Sequence, residues 1–139
     1  MKDDNRRRRT RVPVRIPAGV YLKGKPNDVM DAEILDISEG GAFVHCPTLI
    51  AVGKEVIVEI RFAETKIIEG KVVEHEEIVA SMAPESATES SVVRWQRENS
   101  GQMGFGIEFS SLAPESQKFL LKLVQYFEQL QRAGVNFSR

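Results

Sequence analysis

From Val12 to Phe109 the apolar residues recur in short runs with a period of two; from Leu120 to Leu130 they recur at spacings of three and four. The first pattern belongs to strands with one buried face, the second to an amphipathic helix. Val12, Val14 and Ile16 alternate with Pro13, Arg15 and Pro17, and two prolines four apart forbid a helix but fit an edge strand or an extended lead-in. Residues 19–23 read as a strand stopped by Gly24-Lys25-Pro26-Asn27-Asp28, and residues 29–37 as the next, with Met30, Ala32, Ile34 and Asp36 on one side. Gly40-Gly41 marks a tight turn into residues 42–45, which end at Pro47. Residues 55–62 alternate cleanly through Val56, Val58 and Ile60; residues 66–74 carry Gly70, read as a bulge or a close approach. Residues 92–96 and 103–109 complete the set, and residues 76–91, rich in Glu, Ser and Ala, show no period and read as a long exposed loop.

The closing stripe of Leu120, Leu123, Val124, Phe127 and Leu130 predicts a helix over 114–133, with Pro114 in its first turn, Glu115 at the positive end of its dipole and Gly134 as its stop. The expected fold is mainly β: a small antiparallel barrel of six to seven strands, closed by one C-terminal amphipathic helix. Its parts are a flexible basic arm over 1–10, a barrel over 11–112 with the loop insertion at 76–91, and the helix over 113–134.

At 42% apolar and 28% charged, the 139 residues have the balance of a soluble globular protein with one core. No apolar run nears the roughly 20 residues of a membrane span. The start is charged from Lys2 and lacks the apolar stretch of a secretory signal. The single cysteine, Cys46, fits a reducing compartment, so a cytoplasmic location is expected. The near-neutral total hides an asymmetry. Lys2, Arg6, Arg7, Arg8, Arg9, Arg11 and Arg15 stand against Asp3 and Asp4 in the first fifteen positions, and the rest of the chain is net acidic. A basic arm on an acidic body calls for an anionic ligand or partner, and the body itself is a poor nucleic-acid surface.

Little here reads as catalysis. Ser38 lacks a Gly-x-Ser-x-Gly elbow, and no phosphate-binding Walker loop appears. His45 and Cys46 are neighbours on a strand, so their side chains point to opposite faces and make no nucleophile–base pair. His75, beside Glu74, Glu76 and Glu77, reads as exposed, and two histidines with one cysteine lack zinc-ligand spacing. Trp95, between Arg94 and Arg97, reads as packing on the barrel rather than as a base-stacking platform. No enzyme, metal or cofactor is expected.

Two short motifs remain. Arg6-Arg7-Arg8-Arg9-Thr10-Arg11, taken alone, is a solvated basic tail. Asp36-Ile37-Ser38-Glu39-Gly40-Gly41, taken alone, is a hairpin turn, with Asp and Ser stabilising it and Gly supplying positive φ. In this order and spacing the pair resembles the PilZ domain signature, an Arg-Arg-x-x-x-Arg arm followed by Asp/Asn-x-Ser-x-x-Gly on the barrel. Arg6, Arg7 and Arg11 match the first motif; Asp36, Ser38 and Gly41 match the second. Flanking stretches agree, among them Gly104-Phe105-Gly106-Ile107-Glu108-Phe109 and the closing helix, while residues 76–91 depart from the pattern.

The resemblance implies a non-enzymatic bacterial receptor for cyclic di-GMP, with Arg6, Arg7, Arg11, Asp36, Ser38, Gly40 and Gly41 as its binding residues. The chemistry suits the ligand. An arginine fork meets guanine O6 and N7 together, pairs equally with phosphate oxygens, and stacks on a purine face. The resemblance gives Asp36 the role of accepting from a guanine N–H edge or steering an arginine. It gives Ser38 a hydrogen bond to phosphate, and Gly41, helped by Gly40, a close backbone approach. An anionic ligand would neutralise the arm and fold it onto the barrel. Output then requires a protein effector, in motility or biofilm regulation, and the wide helix stripe also leaves room for a homodimer. Two rivals are a PilZ fold used only for protein interaction, and an arginine-arm binder of nucleic acid or anionic membrane. The last predicts steep salt dependence and indifference to Asp36 and Ser38.

Overall fold

A computed structural model describes residues 11–78, 103–110 and 112–135. Six strands, β1 (Val12–Leu22), β2 (Met30–Ile37), β3 (Gly41–His45), β4 (Glu55–Phe62), β5 (Glu64–Glu77) and β6 (Met103–Phe109), precede one helix, α1 (Pro114–Arg132). They close into a barrel in the order β1-β2-β3-β6-β5-β4, every neighbouring pair antiparallel. The expected strand over 92–96, with Trp95, lies outside the described residues, as do Arg6 and Arg7.

The interior follows the period-two pattern. Val12, Val14, Ile16, Ala18 and Val20 of β1 all point inward, with Val56, Val58 and Ile60 of β4 and Phe105, Ile107 and Phe109 of β6. β1 is one continuous strand rather than a lead-in plus a strand. Among the described residues its two prolines fall where it pairs with β2 alone; pairing with β4 begins at Ala18. A missing N–H therefore costs nothing on the side facing away from β2. β5 runs on to Glu77, so Glu76 and Glu77 are strand and not loop. Gly70 is a close approach and not a bulge. A β-carbon there would come within 2.5 Å of Ile107 Cγ2, and the irregularity in the β5–β6 pairing sits between Val72 and Glu74 instead.

α1 closes the end of the barrel where β4 turns into β5. Leu120, Leu123, Val124 and Phe127 join the same core as the strands. Phe127 and Tyr126 set their rings 5.4 and 5.5 Å from that of Phe62, the last residue of β4. At its C-terminus Gly134 N–H donates to Gln131 O and Val135 N–H to Leu130 O, satisfying carbonyls that the last turn would leave open. Among the described residues no helix is long and apolar enough to cross a membrane.

Cys46 is buried just beyond β3, its thiol donating to Thr48 O at 2.9 Å. Burial pushes that thiol up from its ordinary pKa, which keeps it protonated and unreactive at neutral pH. His45 is half-buried and lies one position away, at the end of the strand. His75 is exposed, as its acidic neighbours imply, and its Nε2 lies 2.7 Å from the Ile50 carbonyl. Among the described residues no three His, Cys, Asp or Glu side chains converge as a metal site.

Candidate functional site

The second motif occupies the end of β2 and the turn into β3. Here β2 breaks its alternation. Ile34 and Ile37 both belong to the interior, whereas Leu35 packs with Phe43 and Ile78 in a separate cluster. Against β3 the extra residue lies in β2, two steps from Ile34 to Asp36 for one from Val44 to Phe43; against β1 it lies in β1, three steps from Pro13 to Ile16 for the same two. An extra residue in the strand is a bulge, and it reverses the side-chain phase beyond it. Asp36 thus leaves the side of Ile34, where even alternation placed it, and joins the outer wall opposite Pro13 and Phe43.

A single cross-strand row results: Pro13, Asp36, Phe43, Gly106 and Glu74, on β1, β2, β3, β6 and β5 in turn. The ring of Phe43 is fully buried although it faces outward. Glycine makes this possible, because a β-carbon at Gly104 would stand 2.6 Å from Phe43 Cζ and 2.7 Å from the Val44 carbonyl oxygen. Gly104 and Gly106 alternate with the inward Phe105 and Ile107, so β6 offers a side-chain-free strip to the outer surface. That Gly-x-Gly spacing within a strand pattern was the sequence signal for this surface, although it named neither Phe43 nor Glu74 as part of it.

The first motif meets the row through Arg11. This residue directly precedes β1, where Val12 pairs with Ile37, the residue after Asp36. Its Nε lies 3.8 Å from Asp36 Oδ1, and its terminal nitrogen 4.0 Å from Glu74 Oε1. Two motifs about 25 positions apart are thereby brought to one outer face, with the guanidinium between two carboxylates. Asp36 is almost enclosed, its side chain 12% exposed, against 46% for Glu74.

The turn is held by Ser38. Its hydroxyl oxygen accepts from the amides of Gly40 at 3.2 Å and Gly41 at 3.1 Å, while its own amide donates to Gly41 O at 2.9 Å. With both acceptor positions used, its single proton points to Gly41 O at a long 3.3 Å. Ser38→Ala removes the shared acceptor from two amides and is expected to cost about 1–2 kcal/mol of folding stability, measurable by urea unfolding. Gly41 has no left-handed backbone; the reason for glycine is space, since a β-carbon would collide with the Ile107 carbonyl oxygen on β6. Glycine at this position therefore serves the closing of the barrel, a different reason from the positive φ expected of a Gly-Gly turn.

Comparison with known proteins follows the same lines. The family model described as the PilZ domain matches residues 5–83. Among solved structures, the cyclic di-GMP-bound PilZ domain of YcgR from Escherichia coli has a TM-score of 0.67 at 14% identity, over 92% of this chain and 95% of that one. The Bacillus subtilis inhibitor of motility MotI/DgrA has a TM-score of 0.63 at 19% identity over 91% of this chain; this chain spans 52% of that one. The PilZ domain of CeSA from a cellulose-synthesizing bacterium gives 0.54 at 16% identity, over 86% and 98% of the two chains. No curated protein matches. At these identities the structural likeness establishes the fold.

Proposed function

Because the chain belongs to the PilZ domain family, we propose that it is a non-enzymatic receptor that binds cyclic di-GMP on the outer wall of its barrel and passes the signal to a protein partner. One observation carries this reading: Arg11, the last residue of the arm motif, lies 3.8 Å from Asp36, the first residue of the turn motif. The solved YcgR domain of the same fold holds that nucleotide.

The roles follow from the chemistry. Arg11, with Arg6 and Arg7 of the arm, brings planar forks to phosphate oxygens or to the O6 and N7 of guanine. Asp36, fixed in its strand, accepts from a guanine N–H edge or aims Arg11. Ser38 donates its proton to a phosphate oxygen in exchange for the long contact to Gly41 O. Gly40 and Gly41 keep side chains out of the approach. Binding neutralises the arginines and orders the arm on the barrel, which changes the surface a partner meets.

Calorimetric titration of the protein with cyclic di-GMP, beside a GTP control, is the direct test. Saturable binding is expected, with a stoichiometry that separates one nucleotide from two, and with slower amide exchange in residues 5–12 of the complex. A folded protein that gives no heat with the nucleotide would sink the reading.

A further inference from the structure

The row on the outer wall ends in a residue that neither motif contains. Glu74 pairs with Gly106, and a β-carbon on that glycine would lie only 3.0 Å from Glu74 Cγ and 3.1 Å from its Oε1. The side chain of Glu74 therefore rests along the wall, in the space glycine leaves, with its carboxylate 4.0 Å from Arg11. One guanidinium faces two carboxylates of different character. Asp36 is held in a nearly closed position, whereas Glu74 is half in solvent and can swing away.

We infer that Glu74 sets the affinity of the site by competing, as an internal anion, with the phosphate of the nucleotide for Arg11. This rests on the receptor reading of the same site. A phosphodiester that approaches Arg11 from outside meets the Glu74 carboxylate as a like charge, and a guanidinium flanked by two carboxylates is drawn toward them and away from phosphate. The ligand must displace Glu74, and the cost of doing so lowers affinity. Asp36 stays in place and remains part of the site. The contact is half exposed, so it adds little to folding stability.

Glu74→Gln keeps the stem that lies on Gly106 and removes only the charge. At low ionic strength it should bind cyclic di-GMP about three- to fivefold more tightly than wild type, as expected for loss of one exposed charge interaction. The advantage should shrink as salt is raised toward about 0.5 M, because screening removes the same repulsion from the wild type. In the nucleotide-free protein the resonances of the Arg11 terminal guanidinium N–H groups should shift and exchange faster with water, at an unchanged melting temperature. If the wild type binds and Glu74→Gln binds equally or more weakly, the competition is refuted, and Glu74 is a bystander or itself accepts from the base. A salt-independent gain, or an Arg11 resonance indifferent to the substitution, refutes it as well. If neither protein binds the nucleotide, the receptor reading falls, and the competition with it; a shifted Arg11 resonance would then mark a plain surface ion pair.

Discussion

Asp36→Ala is expected to abolish measurable cyclic di-GMP binding, a loss of a hundredfold or more, in a barrel that melts within a few degrees of wild type. Loss of a positioned charged partner at a desolvated contact costs about 2–5 kcal/mol, which spans some thirtyfold to several thousandfold in affinity. Asp36 is only 8% exposed and has Arg11 at 3.8 Å, so its removal takes away an acceptor and also leaves the guanidinium to Glu74. Folding should feel far less. The cross-strand neighbours are Pro13 and Phe43, and the ionic partner Arg11 is half exposed, so its charge is left to solvent and is not stranded in the interior. Arg11→Ala should match the binding loss, and Arg11→Lys should recover only part of it, because lysine keeps the charge and loses the fork. Titration calorimetry with a thermal melt of each variant decides the matter. A variant without Asp36 that binds like wild type would exclude the turn motif from the site and leave the arginine arm as a general anion binder.

Gly41→Ala should damage the fold itself, by about 2–4 kcal/mol, which for a domain of this size lowers the melting temperature by roughly 10 °C. The added methyl group would collide with the Ile107 carbonyl oxygen, a backbone atom in the adjacent strand that cannot rotate away. Gly41 is also the residue where β3 begins its pairing with β6, opposite Glu108, while Phe109 N–H donates to Gly40 O just beside it. Parting these strands opens the barrel next to the turn that Ser38 holds. Glu39→Ala, at the exposed tip of the same turn, should stay within about 0.5 kcal/mol. Differential scanning calorimetry separates the two. If Gly41→Ala melted like wild type yet lost the nucleotide, the glycine would serve ligand approach and not strand closure.

The regular parts of this molecule were legible because one buried face repeats without interruption. β4 and β6 coincide with the runs 55–62 and 103–109, and α1 with the stripe from Leu120 to Leu130, since nothing in those segments disturbs the period. The motif residues were legible as chemistry, and Arg11, Asp36, Ser38, Gly40 and Gly41 do come together at one end of the barrel. What could not be read was the face of Asp36. A bulge depends on pairing with two neighbouring strands, and no local pattern announces it. Glu74 was hidden for a related reason. As one of four acidic or basic positions at the end of β5 it looks like solvated surface, and only the register that sets it on Gly106 brings it to Arg11.

The bulge in β2 also makes the site depend on how many residues the strand holds, and not on residue identity alone. Three steps, not an even number, separate the two interior residues Ile34 and Ile37, so Leu35 and Asp36 both stand off the interior. A point substitution at Leu35 leaves that count intact. Deleting Leu35 would restore an even-phased strand and leave Asp36 facing outward between Ile34 and Ile37, but it would empty the place beside Phe43 and Ile78 on the same wall. The proposed binding wall is therefore open to insertions and deletions in this segment that leave every motif residue in place.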